Sequence, residues 1–219
     1  MEIMETPNTK NVESEAPSMF DEVTKKQVIG AWNRTLLPVK HKESAKQIYE
    51  RADRNSMWFA TLDYITKKVC NKGSIFILTG KRGVGKTQIA ACLARLVCLG
   101  QRTAHYTRAA DMYLCVKSTF DGDGSELGLM HKWTVVPTGS NNGSQLLIID
   151  EMHDRSGSEW EGRILNQIVD RRYGNCLDTL LITNETRPNI AKTVGPSIVS
   201  RADETGGIIE CLWDSYRSP

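Results

Sequence analysis

Eight residues with the sequence GKRGVGKT, at positions 80–87, limit the possible folds of this chain more than any other stretch. They fit the pattern GxxxxGK[ST], follow the apolar run SIFILT, and precede the helix-like run TQIAACLARLVCLG. In that setting, backbone N–H groups of a glycine-rich loop and the amino end of the next helix surround phosphate groups. The pattern therefore predicts an ATP site in which Lys86 reaches the β- and γ-phosphates and Thr87 offers a hydroxyl to Mg²⁺. The expected nucleotide contacts are Gly80, Lys81, Arg82, Gly83, Val84, Gly85, Lys86, Thr87 and Gln88.

Strand-like and helix-like segments alternate from residue 73 onwards. The strand candidates are SIFILT (74–79), TAHYT (103–107), LLIID (146–150), DTLLIT (178–183) and GIIECLW (207–213). Such alternation predicts right-handed crossovers and a parallel sheet that is covered on both faces. The predicted fold is therefore α/β, with five parallel strands flanked by helices. A loop is expected at residues 121–145, which are rich in Gly, Ser and Asn at both ends.

The length of 219 residues suits one domain with a tail. Residues 1–18 are polar and contain two prolines, so a disordered tail is expected there. Residues 19–45 are expected to form a helical segment and linker, and residues 46–219 the ATPase domain. Within the helical segment, four apolar residues lie roughly on one face: Phe20, Val23, Val28 and Trp32. That face is suited either to a partner or to packing on the ATPase domain, and the sequence leaves both open.

Two further strand candidates end in polar side chains suited to phosphate chemistry. Asp150 and Glu151 follow the apolar run LLII, and Asn184 follows LLIT. Ligands of open parallel sheets bind at the carboxyl ends of the strands, so these side chains are expected beside the phosphate loop. Asp150 would hold Mg²⁺ through water, Glu151 would act as general base on the attacking water, and Asn184 would orient that water.

Composition excludes several classes of protein. The net charge of +2 is too small to indicate a nucleic-acid partner by itself. The six cysteines show no CxxC spacing and lie mostly in apolar segments, so reduced core thiols are expected rather than disulfides. The first residues are acidic and polar, unlike a signal peptide, and no apolar run is long enough to span a bilayer. A soluble, cytoplasmic protein without membrane contacts is therefore expected.

Four other stretches carry a resemblance to a known family: AADMYLCVKSTF, IIDEMHDRSGSEWEGRILNQIVDRR, LLITNE and WDSYRS. With the phosphate loop, they resemble the AAA+ ATPases of the DnaC helicase-loader type, with the IstB transposition helpers close behind. The resemblance implies the strand order 5-1-4-3-2, no full helical lid, and a ring or spiral oligomer that holds ATP between subunits. It also implies that Arg201 is an arginine finger for the neighbouring subunit and that Arg217 is a sensor arginine contacting the nucleotide of its own subunit.

Trp160 permits two interpretations. Ser158 followed by Glu161 forms a capping box, which places Trp160 in the first helical turn, in register with the core positions Ile164 and Ile168. The resemblance instead implies a channel for single-stranded DNA, because loaders line such a channel with a serine and aromatic residues at equivalent positions. The corresponding contacts here are Phe120, Ser158 and Trp160, with Lys117 near a phosphate.

The resemblance implies an ATPase that binds single-stranded DNA and loads or remodels a hexameric replicative helicase of the DnaB type. Hydrolysis is expected to be slow and stimulated by DNA. The first alternative is a transposition helper that acts on duplex DNA with a transposase, and the second is a nucleotide-dependent interaction module with negligible turnover. Two departures from the loader pattern are the long polar loop at 121–145 and the short segment before residue 46.

Overall fold

The computed structural model describes residues 19–69, 72–118, 133–135 and 144–216, with side chains from residue 24 onwards. Helices α1 (Met19–Asn33), α2 (Val39–Arg51) and α3 (Met57–Lys68) precede the first strand. The later elements are β1 (Ile75–Thr79), α4 (Lys86–Leu99), β2 (Ala104–Arg108), α5 (Ala109–Lys117), β3 (Leu146–Asp150), α6 (Glu159–Gly174), β4 (Asp178–Ile182), a 3₁₀ turn (Arg187–Asn189), α7 (Ile190–Val194), α8 (Pro196–Thr205) and β5 (Gly207–Glu210). Within these ranges, no helix is both long and apolar enough to cross a membrane.

The five strands form one sheet in the order β2-β3-β4-β1-β5, and every neighbouring pair is parallel. This confirms the predicted α/β class and the strand order implied by the resemblance. The fifth strand is shorter than predicted, because it ends at Glu210 rather than at Trp213. With β1 between β4 and β5, the loop after β1 leaves the middle of the sheet, next to the polar residues that follow β3 and β4.

Strand side chains alternate between two hydrophobic cores. On β1, Phe76 and Leu78 belong to one core cluster, whereas Ile75 and Ile77 belong to the other. The first cluster is completed by residues of α1 to α4, and the second by residues of α5 to α8. Because both faces are covered, β1 and β3 are apolar at every position but the last, as expected for a buried parallel sheet.

The helices before β1 pack on the same core as the sheet. Trp32 of α1 packs against the first cluster, and the ammonium of Lys42 lies 5.5 Å from the centre of its ring. The chain between α1 and α2 also contacts the sheet, since Tyr106 donates its backbone N–H to the Thr35 carbonyl at 2.7 Å. Helix α2 runs through the boundary expected between residues 45 and 46. The packing interpretation therefore holds for Trp32, whereas the side chains of Phe20 and Val23 lie outside the described part of the chain.

Arg172 of α6 is fully buried near the amino ends of the strands. Burial lowers the pKa of its guanidinium to about 9, although the nearby Asp178 acts in the opposite direction. The guanidinium donates to Thr179 Oγ1 at 3.0 Å and to the carbonyl oxygens of Ser144 at 3.1 Å, Gln145 at 3.1 Å, Asp178 at 2.6 Å and Trp133. Arg172 thus joins the segments before β3 and β4 to α6 by hydrogen bonds, at the amino ends of the strands and opposite the phosphate loop.

Candidate nucleotide-binding site

The loop between β1 and α4 has the backbone conformation that its glycines predict. Gly80, Gly83 and Gly85 have φ angles of 137°, 89° and 86°, a region that residues with a side chain rarely adopt. A Cβ atom at Gly80 would also lie 2.6 Å from the Cys211 carbonyl oxygen. Helix α4 begins at Lys86, directly after the third of these glycines. The loop and the positive end of α4 therefore form the expected anion site.

Lys86 is mostly buried at the mouth of this loop. Its ammonium donates to the carbonyl oxygens of Gly80 at 2.6 Å and Lys81 at 2.8 Å, and to Asn184 Oδ1 at 2.8 Å. Burial lowers the pKa of Lys86, while Cys211 and Asp150 act in the opposite direction. The structure thus brings together Lys86, which the sequence predicted to reach the β- and γ-phosphates, and Asn184, which it predicted to orient the attacking water.

Asp150 is buried at the end of β3 and accepts several hydrogen bonds. Thr87 Oγ1 donates to its Oδ2 at 2.8 Å, and the backbone N–H of Glu151 donates to its Oδ1 at 2.7 Å. The adjacent Thr87 hydroxyl and Asp150 carboxylate supply the hard oxygen donors that Mg²⁺ prefers, so the two predicted metal residues fit that ion. Glu151, the first residue after the strand, has a φ of 55° and lines the same cavity as Asp150.

Tyr106 of β2 is a site residue that sequence reasoning missed. Its hydroxyl donates to Asp150 Oδ2 at 3.1 Å. Burial, followed by the charge of Asp150, raises the pKa of Tyr106, so the hydroxyl keeps its proton and remains a donor. The signal available in the sequence was position, since Tyr106 lies near the carboxyl end of a predicted strand.

His153 was also missed, although it lies only three residues after Asp150. Its Nε2 atom is 2.9 Å from Asn184 Nδ2, and its Nδ1 atom is 3.4 Å from the backbone nitrogen of Asn184. Asn184 therefore bridges Lys86 on one side and His153 on the other.

The segment after β5 closes on the phosphate loop. Cys211 donates its backbone N–H to the Thr79 carbonyl at 2.8 Å, and the Trp213 indole donates to the Val84 carbonyl at 2.8 Å. The backbone N–H of Tyr216 donates to the Gly83 carbonyl at 3.1 Å. These donors hold the loop from the β5 side. Arg217, the expected sensor arginine, lies outside the described residues.

A cavity of about 920 Å³ contains most of the predicted nucleotide contacts. It is lined by Gly83, Gly85, Lys86, Thr87 and Gln88 of the phosphate loop and α4, and by Asp150, Glu151, His153 and Asn184 beyond the strands. Ile48, Arg51, Ala52 and Trp58, from α2, α3 and the turn between them, complete the wall together with Tyr216. Its volume is in the range typical of ligand pockets, about 300–1,000 Å³. At this wall, Gln88 Oε1 lies 2.9 Å from His41 Nδ1 of α2.

Arg201 does not line this cavity. It lies on α8, forms a 3.0 Å ion pair with Asp170 of α6, and has its guanidinium 5.7 Å from the centre of the Tyr173 ring. Within one chain it is therefore separate from Lys86 and Glu151. Its expected role concerns a neighbouring subunit and stays a prediction.

Ser158 and Trp160 take the positions that the capping box predicts. Ser158 Oγ accepts from the Glu161 backbone N–H at 3.3 Å, and Glu161 in turn accepts from the backbone N–H of Gly157 at 2.9 Å rather than from that of Ser158. Trp160 is half-buried against the second core, and its ring centre is 6.2 Å from that of Tyr113 in an edge-to-face arrangement. Trp160 is thus partly a core residue that keeps an exposed portion.

Lys117, the last residue of α5, is exposed. It lies one helical turn beyond Tyr113, the residue of α5 that contacts the Trp160 ring. The start of α6 and the end of α5 are therefore close to one another. Phe120 lies outside the described residues, so only three of the four predicted DNA contacts have a structural description.

Comparisons with known proteins agree on a family. The sequence profile of the IstB-like ATP binding proteins matches residues 39–200, which is more than half of the chain. The replicative helicase loader DnaC of Escherichia coli (strain K12) is 33% identical over 146 residues, covering 65% of this chain and 56% of that protein. The chain therefore spans little more than half the length of this curated relative.

Solved structures agree on the fold. A crystal structure of the DnaC helicase loader aligns with a TM-score of 0.63 at 17% identity, covering 79% of this chain and 99% of that one. The replication initiator DnaA bound to AMPPCP and single-stranded DNA also gives a TM-score of 0.63 at 17% identity, covering 82% of this chain and 52% of that one. The fold is that of the AAA+ P-loop proteins.

Proposed function

The chain belongs to the family of IstB-like ATP binding proteins, and from this premise we propose that it is an ATP-hydrolysing DNA replication factor. In this proposal it binds single-stranded DNA and loads or remodels a hexameric replicative helicase. The observation that carries the ATPase part is the convergence of Lys86, Thr87, Asp150 and Asn184 in one cavity with direct hydrogen bonds between them.

Each of the predicted site residues has a chemical role in ATP hydrolysis. Lys86 turns from the loop carbonyls to the β- and γ-phosphates, and Glu151 takes a proton from the attacking water. Thr87 and Asp150 hold Mg²⁺, which when bound neutralises charge on the phosphates. Asn184 orients the attacking water. Arg201 of a neighbouring subunit completes the site in a ring or spiral, and Arg217 contacts the nucleotide in its own subunit.

Single-stranded DNA is proposed to pass the exposed portion of Trp160. Stacking of a base on an aromatic ring contributes about 1–3 kcal/mol and tolerates any sequence, while Lys117 would contact a phosphate. Ser158 is proposed to contact the DNA strand beside Trp160. Phe120, three residues after the last residue of α5 in the sequence, is proposed as a further DNA contact. The segment from Glu151 to Ser158 joins β3 to α6. One short segment therefore connects the nucleotide site to the proposed DNA contacts.

A helicase partner is proposed because the relatives of this chain are replicative helicase loaders. Within residues 19–45, Trp32 packs inward, but Ile29, Leu36 and Val39 are large apolar residues that are exposed. These three residues are the proposed contact of that segment with the partner. Replacement of the exposed Ile29 and Val39 by serine leaves the core residues Ala31 and Leu37 in place, and it should abolish capture of the helicase if this part of the proposal is right.

The first experiment is fluorescence anisotropy of the whole chain with labelled single-stranded and duplex oligonucleotides. It compares Mg·ATP, Mg·ADP and no nucleotide at one fixed salt concentration, because phosphate contacts are salt-dependent. A preference for single strands in Mg·ATP supports the proposal. Equal or tighter binding of duplex DNA would instead favour a transposition helper, and absence of DNA binding in all three states would leave an interaction module.

The DNA contacts are tested in the same assay. Trp160→Ala should weaken single-strand binding about 5–150-fold from the loss of stacking, whereas Trp160→Phe should retain most of it. Lys117→Ala should weaken binding and reduce its salt dependence. Lys67→Ala is the matched control, since this exposed lysine lies on α3, across the sheet from α5. Thermal melts show whether the half-buried Trp160 variants remain folded.

A further inference from the structure

His153 forms the end of a row of hydrogen-bonding side chains that starts at the phosphate loop. Lys86 Nζ is 2.8 Å from Asn184 Oδ1, and Asn184 Nδ2 is 2.9 Å from His153 Nε2. His153 is half-buried and lines the nucleotide cavity, and it also lines a smaller cavity of about 300 Å³ on the other side.

The chemistry of the three groups fixes the direction of the row. A lysine ammonium only donates, so the amide group of Asn184 must turn its oxygen towards Lys86. Its Nδ2 therefore faces His153 and donates, which requires an imidazole whose Nε2 carries no proton. The proton of a neutral ring then lies on Nδ1, so the 3.4 Å contact from the Asn184 backbone nitrogen to Nδ1 is not a second hydrogen bond at the same time.

We propose that His153 is a positioning residue for ATP hydrolysis that holds the amide of Asn184 in one orientation. This inference rests on the proposed ATPase function. When Lys86 turns to the phosphates of ATP, Asn184 loses the partner at its oxygen, and the bond to His153 becomes the remaining anchor of its side chain. The oxygen and the second N–H of the amide then point in fixed directions towards the γ-phosphate and the attacking water.

The consequence is a change in turnover without a change in nucleotide affinity. His153 anchors a side chain and is not itself needed to hold ATP. His153→Ala should therefore lower kcat about three- to tenfold, as expected for one neutral hydrogen bond, and leave the KM for ATP within about twofold. His153→Gln places an amide oxygen where Nε2 was, and it should restore most of the lost kcat.

The test is a double-mutant cycle that measures steady-state phosphate release with His153→Ala, Asn184→Ala and the combined variant. If His153 acts through Asn184, His153→Ala has no further effect on kcat once Asn184→Ala is present. Binding of a fluorescent ATP analogue to each variant checks that affinity and folding are kept.

The outcomes separate this inference from the function on which it rests. A wild-type chain that hydrolyses no ATP, with or without DNA, overturns both. If the wild-type chain hydrolyses ATP, three results would overturn only the role of His153. His153→Ala keeps full kcat, its effect on kcat adds to that of Asn184→Ala, or only its KM changes. A lower kcat that glutamine restores and that vanishes in the Asn184→Ala background supports it.

Discussion

Replacement of Arg172 by methionine removes five buried donor contacts while keeping a long side chain in the same space. The carbonyl oxygens of Trp133 and Ser144 lose the guanidinium that donates to them. The Gln145 carbonyl keeps one donor after the substitution, because it also accepts from the backbone N–H of Asp178 at 2.9 Å. The destabilisation is therefore expected to come mainly from two unsatisfied acceptors.

The magnitude follows from those two groups. A buried acceptor left without a donor costs about 1–3 kcal/mol, so two give about 2–6 kcal/mol. Burial of the charge is itself unfavourable, as the lowered pKa of Arg172 shows, and its removal offsets part of this loss. We therefore expect the free energy of unfolding to fall by about 2–4 kcal/mol, which corresponds to a Tm lower by roughly 4–16 °C.

The assay is urea and thermal unfolding followed by circular dichroism. Arg171→Met is the matched control, because Arg171 is the preceding residue of the same helix but is exposed. The control should unfold within about 0.5 kcal/mol of the wild type. If the two methionine variants unfold alike, the guanidinium contacts contribute nothing measurable, and the argument from buried acceptors is wrong.

Three other changes test the nucleotide site. Glu151→Gln should keep ATP binding but lower kcat about 10²–10⁴-fold, as expected for a lost general base; phosphate release and nucleotide titration measure the two effects, and an unchanged kcat contradicts the assignment. Trp213→Phe keeps the ring but removes the donor to the Val84 carbonyl, so the Kd for ATP should rise up to about tenfold, whereas an unchanged Kd would show that this bond does not shape the loop. Gly80→Ala forces a Cβ against the Cys211 carbonyl at a positive φ and should lower the free energy of unfolding in urea by about 1–3 kcal/mol. Gly174→Ala is the control, because the added Cβ there meets nothing within 4 Å. Equal stabilities of the two variants would refute the strain.

Sequence reasoning predicted the parts of the site that depend on local pattern and on the general rule for parallel sheets. The phosphate loop is encoded by its own glycines, and Asp150 and Asn184 follow apolar runs of strand length. Since parallel strands end at one edge of the sheet, their meeting with Lys86 needed no knowledge of detailed packing.

Contacts between distant segments could not be predicted in the same way. The closing of Trp213 and Tyr216 on the phosphate loop depends on where the chain turns after β5, and an apolar run such as GIIECLW does not mark that point. His153 reaches the site through the turn that begins at Glu151. The positive φ of Glu151 could not be predicted, because a glutamate does not indicate that conformation in a sequence.

Arg172 shows a conflict between pattern and chemistry. Ile164 and Ile168 place residue 172 on the buried face of α6 by their spacing, but an arginine in a charged pair is normally assigned to solvent. Only the carbonyl groups at the amino ends of β3 and β4 make its burial favourable, and they are not visible in the sequence of the helix.

The position of β1 in the sheet also has a consequence for how the chain folds during synthesis. β1 is the first strand to be made, yet its two neighbours are β4 and β5, which follow about one hundred or more residues later. Sheets built from such distant pairings fold slowly, and unpaired strand edges promote misassembly. The ribosome must therefore make residues 178–182 and 207–210 before both edges of β1 are paired. Until then an apolar strand stays open, at the stage when a nascent chain depends most on chaperones.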